Sequence, residues 1–102
     1  AYADCYAGLE ERGLIEPVKA AAASGKPFLG ICVGMQLLFE GSEEGDCPKG
    51  LGILPGRVVR FPHDPTGVHK VPHMGWNKIV PAPGPVTPIL EGLGEPYVYF
   101  VH

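Results

Sequence analysis

No run of apolar residues in this 102-residue chain approaches the roughly 20 needed to cross a bilayer as a helix, and the opening residues carry no signal-peptide pattern. Positive charge is sparse. Eight Lys and Arg lie scattered against eleven Asp and Glu, for a net charge of −3. That argues against the clustered basic footprint of a nucleic-acid binder and against a basic amphipathic helix lying on a membrane, so neither partner is expected. Cysteine is scarce too. Cys5, Cys32 and Cys47 are an odd number, without the spacing of a metal knuckle or a disulfide framework. A reducing, cytoplasmic setting is therefore expected, with neither metal nor cofactor. No internal repeat is visible. The chain opens without Met inside a helix-like pattern and stops at His102, directly after a strand-like run, so we expect an internal piece of a longer protein.

Hydrophobic content of 45% and charged content of 19% are ordinary for a globular chain long enough for one small domain. Fifteen Gly and twelve Pro gather towards the second half, which should be strand and turn rather than helix. In the first half, Tyr2, Cys5, Tyr6 and Leu9 recur at helical spacing over residues 1–13, with Gly13 as a stop. A second helix is expected from Leu14 to Ser24, with Pro17 tolerated in its first turn. The apolar run 28–31 reads as a buried strand and residues 33–40 as a helix, so the first half has the order of an α/β unit with a parallel sheet. Residues 41–46 read as an acidic loop in which Glu43 and Glu44 are solvated. Further strands are expected over residues 57–61, in two short pieces around a corner at Met74-Gly75, and over residues 97–101. A single helical turn is expected near residues 89–93.

The chain is organised around Pro27-Phe28-Leu29-Gly30-Ile31-Cys32-Val33-Gly34-Met35-Gln36. Strand, sharp turn with a nucleophilic side chain, then helix is the layout of a nucleophile elbow. Such a turn is strained and needs minimal neighbours, a need that Gly30 and Gly34 meet. The helix N-terminus behind Cys32 favours a thiolate, and the Val33 N–H can supply half of an oxyanion hole. Gln36 lies one helical turn on, on the same side, where its amide could orient a substrate; a plain surface Gln reads equally well. Cys5 on a helix face and Cys47 in a loop lack such a setting.

A cysteine nucleophile needs a base, usually His. His63, His69, His73 and His102 are the candidates, and none is paired with a nearby Glu in a way that marks a dyad. A zinc site from His63, His69 and His73 matches no common ligand spacing. Trp76, Met74 and Tyr99 read either as core or as the centre of a partner surface.

Gly30-Ile31-Cys32-Val33-Gly34-Met35-Gln36 resembles the nucleophile motif of class I, triad-type glutamine amidotransferases. Its continuation, Leu37-Leu38-Phe39-Glu40-Gly41-Ser42-Glu43-Glu44, together with Pro72-His73-Met74-Gly75-Trp76-Asn77, resembles the glutaminase subunit of imidazole glycerol phosphate synthase, and residues 97–102 are similar to the strand leading into that family's later glutamine-binding turn. The resemblance implies an α/β domain, a partial doubly wound sheet truncated at both ends, in which residues 1–102 form one partial domain. It implies hydrolysis of L-glutamine to glutamate and ammonia through a Cys32 glutamyl thioester, with Val33 N–H on the oxyanion. Gln36 and Glu44 would hold the substrate, Glu44 through its α-amino group, which replaces the solvated reading of that carboxylate. Ammonia would pass to a (β/α)8-barrel cyclase, forming a heterodimer through Met74, Gly75, Trp76 and Tyr99, in histidine biosynthesis.

The same resemblance implies missing parts. The family's catalytic His and Glu belong to a Phe-His-Pro-Glu type segment that this sequence does not contain, and His102 matches a histidine of the preceding strand. The loop giving the second oxyanion N–H and the first strand are also expected to lie before Ala1. The chain alone is therefore expected to be inactive as a glutaminase. Two alternatives stand beside this reading: a non-catalytic module that binds the cyclase, and another class I amidotransferase or cysteine hydrolase, against which the 72–77 stretch argues.

Overall fold

The computed structural model describes every residue except Cys47, Pro48, His69 and Val86. The chain forms two compact units, residues 1–62 and 63–102.

The first unit opens with two helices, α1 (Tyr2–Glu11) and α2 (Ile15–Ala23). Both match the spacing of their apolar residues. The link between them is a Schellman-type stop: Gly13, at φ +63°, donates to Glu10 O at 3.0 Å, and Leu14 N–H donates to Leu9 O at 2.8 Å. Gly13 is needed there because the left-handed conformation penalises a Cβ. A single turn, α3 (Val33–Gln36), follows the elbow. Two short strands, β1 (Gly41–Ser42) and β2 (Arg57–Val58), pair in parallel, Gly41 opposite Arg57 and Ser42 opposite Val58. Glu40 and Gly56 close the near end of this ladder. Glu40 N–H donates to Gly56 O at 3.0 Å, and Gly56 N–H donates to Glu40 Oε2 at 2.9 Å.

The core of this unit is small. Tyr2, Leu37 and Leu51 are buried, with Cys5, Leu9, Val18, Val33, Leu38 and Ile53 packed around them. Backbone bonds from Leu51 N–H to Leu37 O (2.8 Å) and from Ile53 N–H to Leu38 O (2.9 Å) draw residues 50–54 against the end of α3. Gly50 permits that approach: a Cβ on it would lie 2.0 Å from Phe39 O and 2.9 Å from Tyr2 Oη.

In the second unit, β3 (Met74–Lys78) and β4 (Tyr97–Val101) pair antiparallel, with Met74 opposite Val101 and Trp76 opposite Tyr99. The pairing extends by one residue at one end, where His73 and His102 exchange N–H···O bonds, and at the other, where Ile79 N–H donates to Pro96 O at 2.9 Å. Lys78 forms an ion pair with Glu95 across the strands. A 3-10 turn, Pro88–Leu90, precedes β4.

Four expectations change. Residues 28–31 are not a strand: no ladder partner exists for them among the described residues, and Leu29 and Ile31 are 69% and 73% exposed. An apolar run marks a segment able to pair, but pairing needs a neighbour. The helix expected over 33–40 ends at Gln36, because residues 37–39 turn to meet residues 50–54. Gly41-Ser42, read as loop, is strand. Residues 74–78 are one strand, with Gly75 at φ +138° absorbing the expected corner inside the ladder. The described residues thus combine helices with two separate two-stranded ladders.

Replacing Gly50 with Ala should destabilise the first unit by about 2 kcal/mol or more, since the contact is with a backbone oxygen that cannot swing aside. A urea unfolding curve of Gly50→Ala beside the unaltered chain checks this. An unchanged midpoint would remove the close approach as a constraint.

Candidate active site

Cys32 has φ +51° and ψ −121°, and it is the only positive-φ residue other than glycine among those described. The Gly34 N–H donates to Ile31 O at 2.9 Å, closing residues 31–34 into a type II′ turn with Cys32 at its first central position. Glycine normally takes that position. A residue with a Cβ there holds about 1–3 kcal/mol of backbone strain. The turn leaves Cys32 exposed and in no disulfide among the described residues. The expected elbow geometry is therefore present, although the turn of helix behind it is short, only four residues.

The two flanking glycines are not equivalent. A Cβ on Gly30 would lie 2.9 Å from Met35 Cα and 3.0 Å from Met35 N, so the chain entering the elbow passes against the backbone leaving it. A Cβ on Gly34 would meet nothing within 4 Å. The expectation that both glycines serve sterically holds for Gly30 alone.

Val33 N–H forms no hydrogen bond among the described residues and adjoins the sulfur's own residue, as an oxyanion donor must. Gln36 N–H donates to Cys32 O at 3.1 Å, so Gln36 stands one turn beyond the nucleophile, with its side chain partly exposed. Glu44 follows β1. Its N–H donates to Ser42 Oγ at 2.9 Å, and its Oε1 accepts the Tyr2 N–H at 3.3 Å. The α-ammonium of Ala1 lies 3.8 Å from the same oxygen. The hydrogen bond and charge of Asp4, at 3.1 Å, hold that ammonium above the usual α-amino range. Glu43, by contrast, caps the far side of the ladder by accepting Arg60 N–H at 3.1 Å.

All four histidines belong to the second unit, so the unit that carries Cys32 contains no imidazole. His73 and His102 form a pair that sequence reasoning missed. His73 Nδ1 and His102 Nε2 are 2.9 Å apart, and Asn77 Nδ2 donates to His73 Nε2 at 3.1 Å. The signal was the antiparallel register, which puts residues 73 and 102 opposite each other. His69, one of the three histidines whose spacing argued against a zinc site, and Cys47 lie outside the described residues. The contacts of Tyr2 with Glu44 and Lys49, and of Ser42 with Glu44, were also missed.

Met74, Trp76 and Tyr99 share one face of the β3–β4 ladder by strand alternation. Trp76 and Tyr99 meet edge to face, with ring centroids 5.6 Å apart at 81°, yet they are 70% and 52% exposed. Gly75 belongs to the opposite face.

A positive-φ cysteine in a II′ turn, followed by an unbonded backbone N–H and a turn of helix, is the geometry of a nucleophile elbow. A family model for class-I glutamine amidotransferases matches residues 8–102, and the chain belongs to that family. Within it, the chain is similar to imidazole glycerol phosphate synthase subunit HisH. Identity is 55% over 103 residues with the protein from Desulfitobacterium hafniense, covering 100% of this chain and 46% of the relative. It is 58% over 95 residues with that of Synechococcus elongatus, covering 92% and 42%, and 54% over 97 residues with that of Geobacillus kaustophilus, covering 92% and 44%. The chain spans about half the length of the curated relatives it matches.

Three stability measurements test the elbow. Cys32→Gly should raise stability by about 1 kcal/mol, because glycine relieves the positive-φ strain; a lower melting temperature would contradict the strained turn. Gly30→Ala should destabilise by about 1–3 kcal/mol through overpacking. Gly34→Ala should be neutral or stabilising, since alanine is the better helix former. Equal losses at both positions would contradict the asymmetry.

Proposed function

We propose that this chain carries the nucleophile half of the glutaminase subunit of an imidazole glycerol phosphate synthase, acting in histidine biosynthesis in the cytoplasm. The observation that carries the reading is the strained II′ turn at Cys32 inside a class-I amidotransferase sequence. Similarity to HisH subunits over the full chain supports the particular member.

In this reading the Cys32 sulfur attacks the side-chain amide carbon of L-glutamine. The carbonyl oxygen takes up negative charge and is met by the Val33 N–H. The C–N bond then breaks, the amide nitrogen takes up the proton given up by the thiol and leaves as ammonia, and a glutamyl thioester remains. Water hydrolyses the thioester, releasing glutamate and restoring the thiol. Gln36 and the Glu44 carboxylate hold the substrate, Glu44 at its α-ammonium. Ammonia goes to a (β/α)8-barrel cyclase partner. The exposed Met74, Trp76 and Tyr99 face supports docking there, because aromatic side chains on an open ladder face suit the centre of an interface; Gly75, at positive φ, shapes the strand that presents them. The family match runs through both compact units, which supports one amidotransferase domain. The apolar, unpaired residues 28–31 support membership of a doubly wound sheet.

The chain contains no Phe-His-Pro-Glu type segment, so no base is assigned to Cys32. Removing a triad member leaves only a small part of the rate enhancement. The 102-residue chain mixed with the barrel cyclase should therefore show no useful steady-state glutaminase activity, and turnover like that of an intact glutaminase would refute this. A pull-down on the cyclase, with labelling by a glutamine-analogue electrophile, tests the rest. Binding that Trp76→Ala weakens at least tenfold, with label on Cys32 and none on Cys5, is the expected result. Binding without label would favour a non-catalytic docking module instead.

A further inference from the structure

The loop that carries Glu44 is fastened to the first unit by two buried hydroxyls. Tyr2 is fully buried, and it reaches the loop at two places: its N–H donates to Glu44 Oε1 at 3.3 Å, and its Oη donates to Lys49 O at 2.9 Å. Ser42, only 3% exposed, accepts the Glu44 N–H on Oγ at 2.9 Å. Gly50, the residue after Lys49, packs so near Tyr2 Oη that no side chain fits there. Glu44 itself remains about half exposed, at 48%. Its Oε1 is tied to the chain, while Oε2 has no hydrogen bond among the described residues.

A glutamate on an unfastened loop must be ordered when a ligand arrives, and that ordering weakens binding. Here hydrogen bonds from Tyr2 N–H to Glu44 Oε1 and from Glu44 N–H to Ser42 Oγ supply part of that ordering.

We propose that Tyr2 and Ser42 are positioning residues that hold the Glu44 carboxylate for the α-ammonium of an amino-acid substrate. The proposal rests on the reading of Glu44 given under the proposed function. It predicts discrimination: the fastened carboxylate favours a ligand with an α-ammonium over the same ligand without one. The loss of either hydroxyl erodes that preference and leaves other contacts alone.

NMR titrations of the 102-residue chain with L-glutamine and with glutaramate, which is glutamine without its α-amino group, test this. The unaltered chain should bind L-glutamine more tightly, and Glu44→Gln should abolish the difference. Tyr2→Phe and Ser42→Ala should each shrink the affinity ratio about two- to tenfold, the effect of one hydrogen bond, with glutaramate affinity unchanged. If the unaltered chain does not discriminate, the reading of Glu44 fails and the proposal fails with it. If Glu44→Gln abolishes discrimination while both hydroxyl variants keep the original ratio, the reading stands and the positioning role is overturned. An equal loss of affinity for both ligands also overturns it, because a merely structural residue acts that way. Should Tyr2→Phe fail to fold, Ser42→Ala carries the same test.

Discussion

The positive φ at Cys32 is the constraint around which the first unit is built. A left-handed residue with a Cβ persists only where its surroundings over-determine it. Here the Gly34–Ile31 bond closes the turn, Gly30 lets the incoming chain pass against the Met35 backbone, and Leu37 anchors the outgoing turn in the core. Each contribution is modest, of the order of 1 kcal/mol for a hydrogen bond. Their sum must exceed the strain, because the turn would otherwise relax to a geometry that withdraws the thiol. Chemistry and packing are thus linked at one residue: the backbone angle that costs stability is also the one that exposes the sulfur beside its own oxyanion donor.

The same small core serves a second purpose. Tyr2 sits at the start of α1, yet its contacts lie 42 and 47 residues away, at Glu44 and Lys49. Leu51, just past that loop, bonds through its backbone to Leu37, just past the elbow helix. The elbow and the Glu44 loop are therefore tied to one cluster of Tyr2, Leu37 and Leu51. A shift of that cluster would move Cys32 and Glu44 together, so a core of three buried side chains sets the placement of both.

Features with local causes were legible in the sequence. The Gly13 stop follows from a left-handed helix end, the elbow from Gly-x-Cys-x-Gly between an apolar run and a helix pattern, and the last strand from Tyr97-Val98-Tyr99-Phe100-Val101. Features with distant causes were not. Residues 28–31 have the composition of a buried strand, but composition does not say whether a neighbour is there to accept its hydrogen bonds. Gly34 looks as indispensable as Gly30 in the motif, and only the path of the backbone separates them. Ser42 and Tyr2 are unremarkable in sequence because their partners are set by folding.

The histidines bring chemistry and placement together. His73 Nε2 lies 3.1 Å from Asn77 Nδ2, and His73 Nδ1 lies 2.9 Å from His102 Nε2. Both nitrogens of His73 are thus committed to neighbours on its own ladder. A general base for a thiol needs an imidazole lone pair that is free to take the proton, and His73 in this arrangement offers none. Cys32, the unbonded Val33 N–H and Glu44, the three groups proposed to act on substrate, all lie in the first unit. The imidazoles belong to the other unit, where His73 and His102 lie 2.9 Å apart across the ladder. The elbow is therefore built without depending on its base: backbone strain and local packing hold the thiol, and proton transfer is a separable requirement.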